Sequence, residues 1–185
     1  MCYNLSVKGS IVMVNFEKLR NFAEQNGGVI RTSDALSLGI SKPVFANFIK
    51  INNYERVSHG IYCSPDYWTD DLYLLQLRCP QIIFSHDTAL FLLNMTDREP
   101  LNYTVTAKTG YNSTHLKKDN VKVFTVKKDL FLLGTTTLKT PFGHDVTVYD
   151  AERTLCDMIR SRNSMEIQSF QDALKQYVKR KDKKL

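Results

Sequence analysis

Three sets of residues in this 185-residue chain are of types that do chemistry. The first is acid–base. His86 and Asp87 stand together, and Asp150, Glu152 and Asp157 cluster further along. Carboxylates and an imidazole so placed can move protons or hold a divalent cation. The second is thiol and imidazole: Cys2, Cys63, Cys79 and Cys156, with His59, His86, His115 and His144. The third lies in the stretch "GISKPVFANFIKINNYERVSHGIY", where Ser41, Lys42, Asn47 and Lys50 are followed by Arg56 and His59. Asn can pair with adenine through two hydrogen bonds, and Lys can reach guanine acceptors or phosphates.

The first two sets have plainer readings. Ser85 and Asp150 fit as helix caps, and Glu152 and Arg153 can pair with helical neighbours. Leu155, Met158 and Ile159 mark a buried helix face. There is no phosphate-binding Gly loop, no GxSxG and no HExxH. The cysteines form no CxxC pair, and the histidines do not stand at zinc-finger spacing from them. The expectation is a non-enzyme with no cofactor and no metal. Scattered thiols without a secretion signal fit a reducing cytoplasm. The opening "MCYNLSVKGSIVMVN" has neither a long apolar region nor a cleavage-like site, and Met13 reads as an alternative start. No apolar run approaches the roughly 18 residues of a membrane span. A cytoplasmic protein without membrane contact is expected.

The elements around the third set explain its placement. Asn15 can cap a first helix, on which Phe16, Leu19, Phe22 and Ala23 make one apolar stripe. Gly27-Gly28 stops it, "VIRT" is extended, and Thr32 or Ser33 caps a short second helix with Asp34 near its positive end. Gly39 turns the chain, Ser41 caps a third helix, and Pro43 sits in its first turn without losing an intrahelical donor. On that helix Phe45, Phe48 and Ile49 face inward. Lys42, Pro43, Ala46, Asn47 and Lys50 face outward, a small polar face of the kind a major groove about 12 Å wide admits. Tyr54–Val57 and Ile61–Cys63 then alternate as strands, with Ser58-His59-Gly60 as the tip of a wing. Arg31, Ser41, Arg56 and His59 are assigned to the phosphate backbone or the wing. The whole of residues 14–75 reads as a winged helix-turn-helix domain that binds DNA.

Residues 76–185 read as a mixed α/β domain, so the chain is α+β. "SPDYWTDDLYLLQLRCP" joins the parts. Asp66, Asp70 and Asp71 are expected on the exposed side of a short helix, with Leu72, Leu75 and Leu77 partly buried and Trp68 at the join. "QIIFS", "NYTVTAK", "VKVFTVK", "DLFLLG" and two pieces of "TTTLKTPFGHDVTVY" read as strands. Ser85 caps a helix, Asp150 another, and a last helix runs from about Met165 to Lys179. The net charge is +6, while residues 1–75 hold seven Lys/Arg and seven Asp/Glu, so the excess lies wholly in the second part. Lys108, Lys117, Lys118, Lys122, Lys127, Lys128 and the tail Lys179-Arg180-Lys181-Asp182-Lys183-Lys184 carry it. Such runs are usually solvated faces. Here they are expected to add phosphate contacts beside the wing. The basic end without Gly or Pro is expected to continue in the natural protein.

"GGVIRTSDALSLGISKPVFANFIKINNYERVSHGIYCSPD" resembles the N-terminal domain of the AbiEi abortive-infection antitoxins, a type IV toxin–antitoxin family. The resemblance rests on the Gly-Ile-Ser turn, the Glu-Arg-Val step and the closing Gly-Ile-Tyr. "FSHDTALFLLNMTD" and "VYDAERTLCDMIRSR" are similar to segments of the AbiEi C-terminal region. The resemblance implies an antitoxin that represses its own operon by binding inverted repeats in the promoter. It also implies that the protein counters a nucleotidyltransferase-type toxin without forming a stable complex, and a monomer in solution is expected. The alternative is a protein- or RNA-binding module that clasps the toxin or shields its target.

Overall fold

The computed structural model describes residues 3–164 and 167–181. The chain divides into two compact units at Asp70/Asp71. That is five residues before the boundary expected at 75/76, because Leu72 and Leu75 of the intervening helix are buried in the second unit's core.

The first unit runs α1 (Tyr3–Gln25), β1 (Val29–Arg31), α2 (Thr32–Ser37), α3 (Lys42–Ile51), β2 (Glu55–Ser58) and β3 (Ile61–Cys63). Its sheet has the order β1-β3-β2, antiparallel throughout. The core is Leu19, Ala23, Ile30, Ala35, Ile40, Phe45 and Phe48, with Phe16, Phe22 and Ile49 packed against it. Burying each of the large side chains among these contributes about 1.5–3 kcal/mol. Phe48 is the hub: Phe16 meets it edge-on at 5.3 Å, and Tyr54 lies at 5.3 Å on another side.

Asn15 does not cap α1, which begins at Tyr3 and carries Asn15 in its interior. Asn costs only a fraction of a kcal/mol inside a helix, and no Pro interrupts residues 3–25. The helix ends as expected at Gly27-Gly28, where both glycines have positive φ and the Gly28 N–H reaches back to the Ala23 carbonyl at 2.8 Å. The cap of α2 also differs from expectation. Neither Thr32 nor Ser33 supplies it; the Asp34 carboxylate accepts the Arg31 N–H at 3.0 Å.

The second unit contains α4 (Asp71–Arg78), β4 (Ile83–Phe84), α5 (His86–Leu92), β5 (Thr104–Lys108), α6 (Thr114–Lys118), β6 (Lys122–Val126), β7 (Thr135–Lys139), β8 (Asp145–Tyr149), α7 (Ala151–Arg160) and α8 (Ile167–Lys179). The sheet order is β6-β5-β4-β8-β7. β4–β8 and β5–β6 run parallel, and β4–β5 and β7–β8 antiparallel. The chain is therefore α+β.

In this unit the structure corrects several expectations. "DLFLLG" is not a strand but a 3-10 turn at Lys128–Leu130 and a loop to Gly134. Its carbonyls at Leu130 and Leu133 accept from Arg153 Nη1 instead of a neighbouring strand. Asp70 is buried, not exposed, and Trp68 is 87% exposed. Ile159 lies 45% exposed, whereas Leu155 and Met158 are buried as expected. The helix α6 has no counterpart in the sequence reading. Met165, Cys2 and the tail residues Asp182, Lys183 and Lys184 lie outside the described residues.

Candidate nucleic-acid interface

α3 shows the two faces that its sequence spacing demands. Phe45 and Phe48 are buried, while Ser41, Lys42, Pro43, Ala46, Asn47 and Lys50 are exposed. Ala46 lies between the longer Lys42, Asn47 and Lys50, which keeps the ridge low enough for close approach to base edges. Ser41 occupies the N-cap position with extended backbone, but its side chain makes no cap hydrogen bond. The capping role expected of its hydroxyl is thus replaced by backbone geometry and by Pro43 in the first turn. The other end is closed by Asn52, whose Nδ2 donates to the Phe48 carbonyl at 2.8 Å. Asn53 then takes a left-handed φ of 52°, a conformation Asn tolerates, and turns the chain into β2.

Arg56 lies opposite Tyr62 in the hairpin, and the register slips before Ser58 pairs with Ile61, a bulge at Val57. Gly60, at φ 69°, forms the tip, and its carbonyl accepts the Thr32 N–H at 2.9 Å. The hairpin tip is thereby tied to the start of α2. Arg56 Nη2 donates to His59 Nδ1 at 3.0 Å, and Arg56 Nε to the Ser58 carbonyl at 3.3 Å, so the two wing residues form one group. Arg31 is placed differently from the other cations. Its guanidinium forks onto Asp34 at 2.7 and 3.0 Å, with Asp34 nearly buried. Asp34 is a positioning group, a role beyond the dipole partner expected from the sequence. Its place three residues after Arg31, at the helix start, is the capping pattern that could have marked it.

Four of the five acid–base residues of the second unit, His86, Asp150, Glu152 and Asp157, have packing or capping partners. Asp150 caps α7 by accepting the Arg153 N–H at 2.9 Å. Glu152 accepts from Tyr177 at 3.1 Å. Asp157 pairs with Arg153 at 2.8 Å, both side chains being over 90% buried. Arg153 also stacks over Tyr149, whose hydroxyl pKa is pushed up to about 12 by burial. His86 is 2% exposed, stacked on Phe124 at 3.8 Å, and lies 3.1 Å from Ser85 Oγ and 3.2 Å from Ser161 Oγ. Burial lowers its pKa to about 4, against the opposing pull of Asp157. Ser85 does not cap α5 with its side chain; it accepts from Thr106 Oγ1 at 2.9 Å.

A groove of about 860 Å³ in this unit is lined by Arg98, Lys117 and Lys122 against Asp87, Glu99 and Asp172, so its charges select no one ligand sign. Cys63, Cys79 and Cys156 are not in disulfides, and no group of three or more metal-ligating side chains occurs among the described residues. Nor is any described helix long and apolar enough to cross a membrane.

Three helices, a β-hairpin and a small polar face on the third helix are compatible with a winged helix. Residues 17–65 match the family model described as transcriptional regulator, AbiEi antitoxin. The match supports a role as an antitoxin or regulator. The chain is also similar to a solved structure, the RV2827C protein from Mycobacterium tuberculosis. The identity is 13% and the TM-score 0.54, over 80% of this chain and 61% of that one, a likeness of fold. No curated protein matches the chain at a significant level.

Proposed function

We propose that the protein is an antitoxin and transcriptional autorepressor that binds inverted repeats in its own operon promoter. The observation that carries this reading is the exposed face of α3, with Lys42, Asn47 and Lys50 around Ala46, beside the Arg56–His59 wing. Lys42, Asn47 and Lys50 enter the major groove, while Ser41 and Arg56 meet the phosphate backbone, with His59 bonded to Arg56 on the wing. Arg31, held by Asp34, lies on the wing side of the same unit and adds a backbone contact.

Residues 1–75 carry no net charge, so the cations of the first unit act by position. The basic second unit supplies added phosphate contacts through Lys108, Lys127 and Lys128, all exposed. It also counters a nucleotidyltransferase-type toxin without a stable complex, in the cytoplasm, and the protein is a monomer in solution. A gel shift on the DNA upstream of its own gene tests the reading. Binding to that DNA no tighter than to random duplex sinks it.

A further inference from the structure

We infer that His59 is a positioning residue that holds Arg56 as a preformed fork for one backbone phosphate; this rests on the DNA-binding reading above. A guanidinium has five N–H donors and no acceptor, so in the contact at 3.0 Å Arg56 Nη2 donates and His59 Nδ1 accepts. Arg56 Nε donates in turn to the Ser58 carbonyl at 3.3 Å. The Nε and Nη2 groups form one side of the planar fork, and both are used within the wing itself. The end-on edge, Nη1 with the second N–H of Nη2, is turned outward from this anchorage. Arginine binds phosphate best through two parallel N–H groups, and such an edge is what remains.

Three backbone features place this fork. The bulge at Val57 lies between Arg56 and His59, which are three residues apart, and shifts the register on the way to the tip. Gly60 accepts φ 69°, which a larger residue at the tip would resist. The Gly60 carbonyl bonds the Thr32 N–H, tying the tip to the same three-helix body that carries α3. Both side chains are exposed, so nothing in the fold needs them for packing. An exposed Arg normally gives up side-chain entropy on binding; holding it beforehand removes much of that cost. Lys108, which lies over the Phe131 ring at 5.0 Å, gains no directed hydrogen bond from that contact.

The test is fluorescence anisotropy of the full chain on two duplexes of equal length, its own upstream DNA and a random sequence, across a salt series. Arg56→Ala should weaken both about tenfold at moderate salt. It should also flatten the log–log salt slope by about one. His59→Ala should weaken binding about fivefold, since Arg56 is then no longer held in place before it meets the phosphate. His59→Asn, whose Oδ1 stands where Nδ1 stood, should recover most of that. In the Arg56→Ala background, His59→Ala should change nothing further. Independent, multiplying effects of the two substitutions overturn the inference, as does His59→Asn behaving like His59→Ala. Equal wild-type affinity for the two duplexes refutes the operator reading, yet the same variants still decide the fork on either one. No binding to any duplex overturns both.

Discussion

Protonation of His86 should destabilise the second unit, by an amount that its burial sets. The ring is 2% exposed, stacked on Phe124, and its pKa falls from 6.5 to about 4 on folding. Between those values the unfolded chain binds a proton that the folded chain refuses, so stability rises with pH through this window. The full contribution is present above pH 6.5 and is lost as pH falls toward 4. The shift converts to roughly 3 kcal/mol at the low end and roughly 2 kcal/mol at pH 5. His86→Asn is the control, because His86 sits at φ 49° and Asn accepts that conformation without titrating. Urea unfolding at pH 7 and pH 5 then gives two stability differences. The wild type should lose about 2 kcal/mol more than the variant between them. Carboxylates elsewhere act on both proteins and cancel. Equal losses would refute the claim that burial holds this imidazole neutral.

Asn47→Ala should weaken binding to the protein's own upstream DNA by about 1–3 kcal/mol and leave random DNA nearly unchanged, which gel shifts on both can check. If both affinities fall alike, Asn47 reads no base. Replacing Lys108, Lys127 and Lys128 together by Ala should flatten the salt slope of DNA binding by about 0.9 for each phosphate that is no longer neutralised, and an unchanged slope excludes the second unit from the interface. Gly28→Ala should lower stability by roughly 2 kcal/mol or more, seen as a fall in Tm, since the residue has φ 80° and a Cβ there would lie 2.6 Å from the Tyr67 ring. Asp157→Asn should cost about 3–5 kcal/mol in chemical denaturation, because it leaves the buried Arg153 charge without its partner; a loss under about 1 kcal/mol would show that the pair is dispensable.

Segments that pack one face on a neighbour are the ones legible in the sequence. The α3 pattern separates Phe45 and Phe48 from Lys42, Asn47 and Lys50, because a helix of 3.6 residues per turn sends those sets to opposite sides. The strands in "NYTVTAK", "VKVFTVK" and "TTTLKTPFGHDVTVY" are legible from their β-branched and aromatic residues; β5, β6, β7 and β8 fall within those stretches. "DLFLLG" misleads because it has strand composition, yet its carbonyls accept from Arg153, a residue 20 positions or more away. Ser41 and Ser85 stand at N-cap positions, as expected, but neither hydroxyl caps; for Ser85 a buried Thr106 is the competing partner.

Local periodicity and summed charge need no knowledge of distant contacts. They suffice for the inward and outward faces of the third helix, for most of the order of elements, and for the neutral–basic division of the chain. The fork of Arg31 onto Asp34, the joining of Arg56 and His59 at a bulged wing, and the neutral His86 beneath Phe124 emerge only in the folded chain. Hydrogen-bond direction and desolvation are set by atoms within a few ångströms, and the chain must fold before those atoms become neighbours.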